Sequence, residues 1–430
     1  MDEAAAPFLV VNAHLVDPEA DAVRDGAVLV RDGAIADVFD QPVPDIPGVT
    51  LVDAAGKYLG PGLVDLGVKV GEPGERHKES FVSAGAAAAA GGVTTMVTRP
   101  DTLNPIDTPE GLEYVNRRAR EVSPVRVLPM AALTKGRAGA EMVEMGFLQD
   151  AGAVAFTDAD HVVRDTRVLS RALTYAKSLD ALVVGHPQEP GLSAGAAATS
   201  GKFAALRGLP SVSPMAERMG LDRDLGLVEM TGVRWHADQI TTERALARLK
   251  RAKEAGLDVT AGVSVHHLSL NDLDVGDYRT FFKLTPPLRS EDDRRAVVDG
   301  VASGLIDVIC SMHTPQDEES KRLPFEEAAS GAVGLETLLA ATLRLYHSGD
   351  VGLTRLFRAL SYAPARRLGL DAGRLTAGAP ADLVLFDPDA PFVLDRWKLH
   401  SKSKNTPYDG ARMQGRVLAT WVGGQQVFGA

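Results

Sequence analysis

Side chains able to do chemistry fall at the ends of apolar, β-branched runs in this chain. Lys69 and Glu72 follow the run 62–68, Arg99 and Asp101 follow 94–98, Asp158 and Asp160 follow 152–156, and His186 follows 181–185. Further on, Lys283 and Arg289 bracket Thr285-Pro286-Pro287, and Cys310, Met312 and His313 close the run 306–310. Carboxylates and imidazoles in such places serve as general acids and bases or as metal ligands. Cys310 is the only cysteine, which excludes an internal disulfide and a cysteine-based zinc cluster. No basic neighbour is indicated to lower its pKa, so it reads as a small buried hydrophobe.

Those ends matter because of the elements that lead to them. Apolar runs at 62–68, 94–98, 125–130, 152–156, 181–185, 232–236, 258–263 and 306–310 alternate with helical stretches such as 109–121, 166–178, 242–255 and 291–303. Eight strands alternating with helices over ~250 residues predict an α/β fold, a (β/α)8 TIM-like barrel with its functional groups at the strands' C-terminal ends. Outside it, Phe8–Val11 and Ala27–Arg31 read as strands and Asp32-Gly33 as a hairpin turn. After a helical stretch at 335–368, strand character returns at Ala381–Phe386 and Val417–Val422. The expectation is a small composite β-domain from both chain ends, 1–55 and 375–430, beside a barrel with its following helices at 56–374.

The 430 residues carry a formal net charge of −11, with 45% hydrophobic and 24% charged side chains. That composition excludes a mainly disordered chain, and the acidic balance argues against nucleic acid as a partner. The start Met1-Asp2-Glu3 is acidic where a signal peptide is basic. Ser80–Thr98 is uncharged and long enough to span a bilayer, but Gly91-Gly92 interrupts it and a β-branched run follows. It reads as a buried helix, a turn and a strand. With a single cysteine and no targeting segment, a cytoplasmic protein without a membrane partner is expected.

A set of motifs stands in order along the chain: Pro61-Gly62-Leu63-Val64-Asp65, Gly92-Val93-Thr94-Thr95-Met96-Val97, Ala155-Phe156-Thr157-Asp158, Pro286-Pro287-Leu288-Arg289, Gly304–Ile309, Gly331–Thr337, Ala381–Asp387 and Asn405-Thr406-Pro407. With them the chain resembles dihydroorotase of the bacterial zinc-dependent class, in the amidohydrolase superfamily, over nearly its whole length. The resemblance implies a distorted barrel with a composite β-domain. For active members it implies reversible hydrolysis of dihydroorotate to N-carbamoyl-aspartate. It also implies zinc, held by a His-x-His pair on strand one, an Asp after strand four, His residues after strands five and six, and an Asp after strand eight that doubles as the base. Such a metal polarises the amide carbonyl and lowers the pKa of bound water toward ~7.

On this sequence the family's metal positions become Gly67, Lys69, Asp158, His186, Gln239 and Met312. Glycine has no ligating side chain, an ammonium repels Zn²⁺, and a thioether cannot act as the base. The substrate positions become Gly71, Asp101, Thr285 and His313, where the resemblance implies an Arg at the first and an Asn at the second. Asp158 and His186 alone keep a ligand type, and a catalytic zinc usually has three protein ligands plus water. The expectation is a vestigial site with no catalytic residue, no metal and no cofactor. Asp158 reads as a relic or as the ion-pair partner of Lys69. His186 and His236 read as mouth or core histidines, His313 as packing, His77 as exposed, and His266-His267 as a structural loop. Arg289 reads as an anion binder or as the partner in a salt bridge or carbonyl contact.

The resemblance then implies, first, a non-catalytic dihydroorotase-like protein. It would be a structural subunit in a homo- or hetero-oligomer with aspartate carbamoyltransferase, in pyrimidine biosynthesis. A divergent zinc-dependent cyclic amidohydrolase is the alternative. A third reading is a small-molecule sensor using the vestigial pocket.

Overall fold

In a computed structural model, which describes residues 6–429, parallel strands wind into the barrel that the alternation predicts; the acidic start Met1-Asp2-Glu3 lies outside the described residues. Leu63–Val68 pairs with Val93–Thr98, which pairs with Arg126–Pro129. Leu182–Gly185, Arg234–Ala237, Val259–Ser264 and Val308–Cys310 form a second parallel sheet in that order.

Two seams join the sheets. At one, the expected strand 152–156 reduces to single bridges of Phe156 to Ala131 and to Val183. The chain is still hydrogen-bonded on both sides there, through Phe156 N–H to Leu182 and Thr157 N–H to Ala131, each 2.9 Å. It turns at once, so that Asp158 can receive other backbone donors. At the other seam, the buried Asp65 carboxylate accepts Ser311 N–H at 2.8 Å and the Ser311 hydroxyl. Lys69 N–H donates to His313 O at 2.8 Å beside it.

The helices follow local rules. Thr166–Ser178 is capped by the Asp165 carboxylate and buries Leu169, Ala172, Leu173 and Ala176, one stripe of an amphipathic helix. Phe81–Ala90 carries a Ser80–Ser83 capping box, and Val93–Thr98 follows it as a strand. Among the described residues no helix is long and apolar enough to cross a membrane. The stretch 335–368 is broken rather than continuous: Leu338–His347 ends before Gly349, and Leu353–Phe357 leads through a π-helical turn into Ala363–Leu368.

One eight-stranded sheet draws on both ends of the chain. Its order runs Gln425–Phe428, Arg412–Val422, Leu383–Val393, Tyr58–Pro61, Phe8–Asp17, Ala22–Arg31 and Ala34–Asp40, with Thr50–Asp53 also paired to Phe8–Asp17. The last hairpin turns at Asp32 and Gly33, both at positive φ, as an Asp-Gly turn requires.

Candidate active site

Gly67, the last residue but one of strand one, stands at φ +133°, and a Cβ built there would lie 2.7 Å from the Met312 sulfur. The two positions where the resemblance places a metal ligand therefore face each other, and one thioether fills the space between them. Beyond it, Leu66, Arg99, Asp238, His236 and Met312 enclose only about 10 Å³, room for roughly one water.

Arg99 supplies the charge at this centre. It donates to both oxygens of Asp101, Nε at 3.1 Å and Nη2 at 2.8 Å, and Lys69 Nζ lies 3.4 Å from the same carboxylate. Burial opposes ionisation of Asp101, but Arg99, Lys69 and Arg137 outweigh it and hold the carboxyl well below its usual range. Asp101 is thus a neutralised anion rather than a free one that repels a carboxylate.

The expected pairing of Lys69 with Asp158 is not what forms. Asp158 accepts the N–H groups of Leu133 and Thr134, each at 3.0 Å, and the Thr134 hydroxyl at 2.5 Å. Burial still raises its pKa, against those donors. Backbone amides took the role assigned to the lysine because the turn after Phe156 brings Asp158 under residues 133–134. Lys69→Ala is accordingly expected to cost ~1 kcal/mol or less in urea unfolding, since Arg99 still covers Asp101. A loss above ~3 kcal/mol, the scale of a broken buried pair, would restore the Asp158 pairing.

The remaining positions separate. Gly71 cannot carry a side chain, because a Cβ there would run into Glu75 O and lie 3.0 Å from Glu79 O. Gln239 donates to Thr285 O at 3.2 Å, and Thr285 is exposed at the cavity edge. His313 is fully buried; its Nδ1 accepts Gly334 N–H at 3.2 Å and its Nε2 lies 3.3 Å from Glu79. His236 and the pair His266-His267 are buried, each pushed down to about 3 chiefly by burial. His77 is exposed, and burial pushes the Cys310 thiol well up. Arg289 resolves as a buried salt bridge, 3.3 Å from Glu217.

His186 is the group that reaches open space. It lines a cavity of about 610 Å³, together with Arg137, Asp160, His161, Arg164, Gln188 and Thr285. Its Nδ1 lies 3.1 Å from both Asp238 oxygens, and among the described residues its Nε2 has no partner. Burial works against the imidazolium, but the Asp238 charge and hydrogen bond outweigh it and raise the pKa above its ordinary value. Arg137 donates twice to Asp158 O, at 3.1 and 3.0 Å, and to Asp160 at 2.6 Å. Asp238 and Arg137 were not singled out in the sequence. The signal for Asp238 was its place directly after strand six; Arg137 ends the short 3-10 turn Lys135–Arg137, which carries no such signal.

Among the described residues no three His, Cys, Asp or Glu side chains converge as a metal set. Asp158 has spent its oxygens on backbone and hydroxyl donors, and Met312 fills the centre. The residues present do not fit the zinc arrangement that the resemblance implied.

Residues 56–245 match the family described as dihydro-orotase-like, and residues 332–428 match an amidohydrolase family. The chain is 38% identical to a dihydroorotase of Wolbachia sp. subsp. Drosophila simulans over 97% of its length and 94% of that protein. It is 38% identical to a dihydroorotase of Anaeromyxobacter sp. over 98% of its length and 97% of that protein. Among solved structures, the L-hydantoinase of Arthrobacter aurescens superposes with a TM-score of 0.89 at 24% identity, covering 99% of this chain and 96% of that one. At that identity the likeness shows the fold, and with it the predicted barrel.

These relatives correct three expectations. Full-length likeness to proteins named dihydroorotase favours a catalytic chain over a non-catalytic structural subunit, and an enzyme over a pseudoenzyme. The expectation of no cofactor, drawn from the missing ligand types, is overturned by the same full-length likeness to dihydroorotases of an amidohydrolase family. Full-length identity at this level settles descent: the chain belongs to the dihydroorotase-like amidohydrolase family.

Proposed function

We propose that this protein hydrolyses a cyclic amide of the dihydroorotate class, opening the ring to the ureido acid. The observation that carries the reading is the His186–Asp238 pair at the wall of an open cavity, in a chain whose full-length relatives are named dihydroorotase. Asp238 holds the proton on Nδ1, which leaves Nε2 as the acceptor facing the cavity. Nε2 takes a proton from water as the water oxygen bonds to the ring carbonyl carbon. The carbon–nitrogen bond then breaks, and the same proton passes to the leaving nitrogen. Asp238 stabilises the imidazolium between those two transfers, and its charge and hydrogen bond raise the His186 pKa above the ordinary value. No step is assigned to a metal, because the side chains at the barrel centre do not form a site for one.

The test is ring opening of dihydroorotate, and ring closure of N-carbamoyl-aspartate, by the purified protein with and without added zinc. His186→Ala is expected to lower kcat/KM by ~10²–10⁴, the usual contribution of a positioned acid–base group. In Asp238→Asn, the fall of kcat/KM on the acid side should move to lower pH, because the imidazolium loses its counter-charge. Absence of turnover in both directions under both conditions overturns the reading.

A further inference from the structure

We propose that the mouth cavity holds its ligand on the side of strands three to five, with Arg137 and Arg164 taking a carboxylate and Gln188 taking the ring amide or ureido group. The proposal rests on the cyclic-amide reading above for its ligand class, and on separate residues for its geometry.

The strand-one side offers no room for a ligand. A side chain at Gly71 collides with backbone, Asp101 is covered by Arg99 and Lys69, and the centre beside Met312 holds about 10 Å³. The open space lies across the mouth, and two guanidinium groups line it against the single carboxylate of Asp160. Arg137 is held in place through Nε and Nη2 by Asp158 O and Asp160, which leaves its Nη1 without a partner among the described residues. Arg164 is exposed on the rim and makes no ion pair among the described residues. Two cations, Arg137 held in place and Arg164 free on the rim, beside one anion favour a negatively charged ligand, and a guanidinium fork matches a carboxylate.

Gln188 supplies the second element. It lines the cavity yet is only 4% exposed. Its side-chain amide makes no hydrogen bond among the described residues, and Nε2 is sealed from solvent without a partner. A buried, unpaired amide is destabilising, so its place needs a reason. The backbone holds it there: Gln188 N–H donates to His186 O at 2.9 Å, and a Cβ on Gly220 would lie 2.6 Å from the Gln188 carbonyl carbon. Rotation of the amide presents either a donor or an acceptor, so its complement is another amide. Gln188 stands two residues past His186, and a ligand amide it engages lies beside the base.

The experiment measures binding by calorimetry to the His186→Ala protein, in which the ligand is not consumed. Dihydroorotate and N-carbamoyl-aspartate are compared with dihydrouracil and N-carbamoyl-β-alanine, which lack the carboxylate. Adding Arg164→Ala is expected to weaken the two carboxylate ligands about tenfold and leave the other two unchanged. Adding Gln188→Leu is expected to weaken all four about tenfold, with a Tm equal or higher because the orphaned amide is gone. A purely structural role for Gln188 would change Tm and leave the affinities alone. Retained carboxylate preference in the Arg164 variant, or unchanged affinity in the Gln188 variant, overturns the proposal. Binding with this pattern but no turnover by the wild-type chain removes the hydrolase reading and leaves the subsite. Turnover with KM unchanged by either substitution does the reverse.

Discussion

Acidification from pH 7 to pH 5 is expected to destabilise this protein by up to roughly 4–5 kcal/mol, much of an ordinary domain's total stability. The cause is three histidines buried in neutral form. His236, His266 and His267 are each pushed down to about 3, with burial the largest cause; a fixed cation adds to it at two of them, Arg367 at His236 and Arg289 at His267. In the unfolded chain each returns to ~6.5. A depressed pKa means the unfolded state binds more protons between those values, so stability is full above ~6.5 and falls as pH drops toward 3. At pH 5 each histidine then contributes a loss of about 2 kcal/mol.

Asp224 opposes them, as do, with the same sign, Asp65, Asp158, Asp382 and His186, whose pKa values are also raised. Burial lifts Asp224 to about 6 despite Arg223, so it gains stability as pH falls through that value, by about 1 kcal/mol at pH 5. Urea unfolding at pH 7, 6 and 5 reads the sum. His267→Gln should flatten the slope by about 2 kcal/mol over that range. A flat profile in the native chain, or an imidazolium signal from any of the three at pH 5, would sink the account.

Glu217→Ala should leave the chain largely unfolded, at a cost of ~5 kcal/mol or more. Glu217 is fully buried on the helix Met215–Thr231. One oxygen accepts Thr241 N–H at 2.9 Å, Thr242 N–H at 2.9 Å and the Thr242 hydroxyl at 2.8 Å. The other receives the Thr241 hydroxyl and Arg289 Nη2 at 3.3 Å. Truncation strands Arg289, itself 2% exposed, as an unpaired buried cation; that alone is worth ~3–5 kcal/mol. Two backbone donors are orphaned as well. Glu217→Gln keeps an acceptor and should fall between wild type and Ala. Soluble Glu217→Ala protein that unfolds within ~1 kcal/mol of wild type would show that Arg289 finds another partner.

The helix Thr166–Ser178 was legible because its cap and its apolar stripe are local facts of sequence. The barrel strands were legible for the same reason: buried parallel strands are apolar runs. Strand four failed as a strand because its fate depends on where residues 131–134 and 182–184 stand, which its own residues do not encode. The side-chain types at 67, 69, 71 and 312 were likewise plain from order alone. Their geometry was not. That Met312 fills the space over Gly67, and that Gly71 admits no side chain, are statements about separations between distant segments.

Lys69 illustrates the division most directly. Its charge and its place at the end of strand one were readable, and the need for a counter-charge followed. Two carboxylates were within plausible reach, and the turn after Phe156 gave one of them to backbone amides, which left Asp101 for the lysine. Asp238 and Gln188 follow the same logic, since neither carries a motif and both matter through what stands opposite. Residue order by itself determined the element types, the barrel and the loss of ligand types at its mouth, because these depend on neighbours along the chain. Only the tertiary structure decided which charges meet, which imidazole faces open space and where a ligand can enter, because Coulomb and hydrogen-bond energies depend on distances of a few ångströms between residues far apart in sequence.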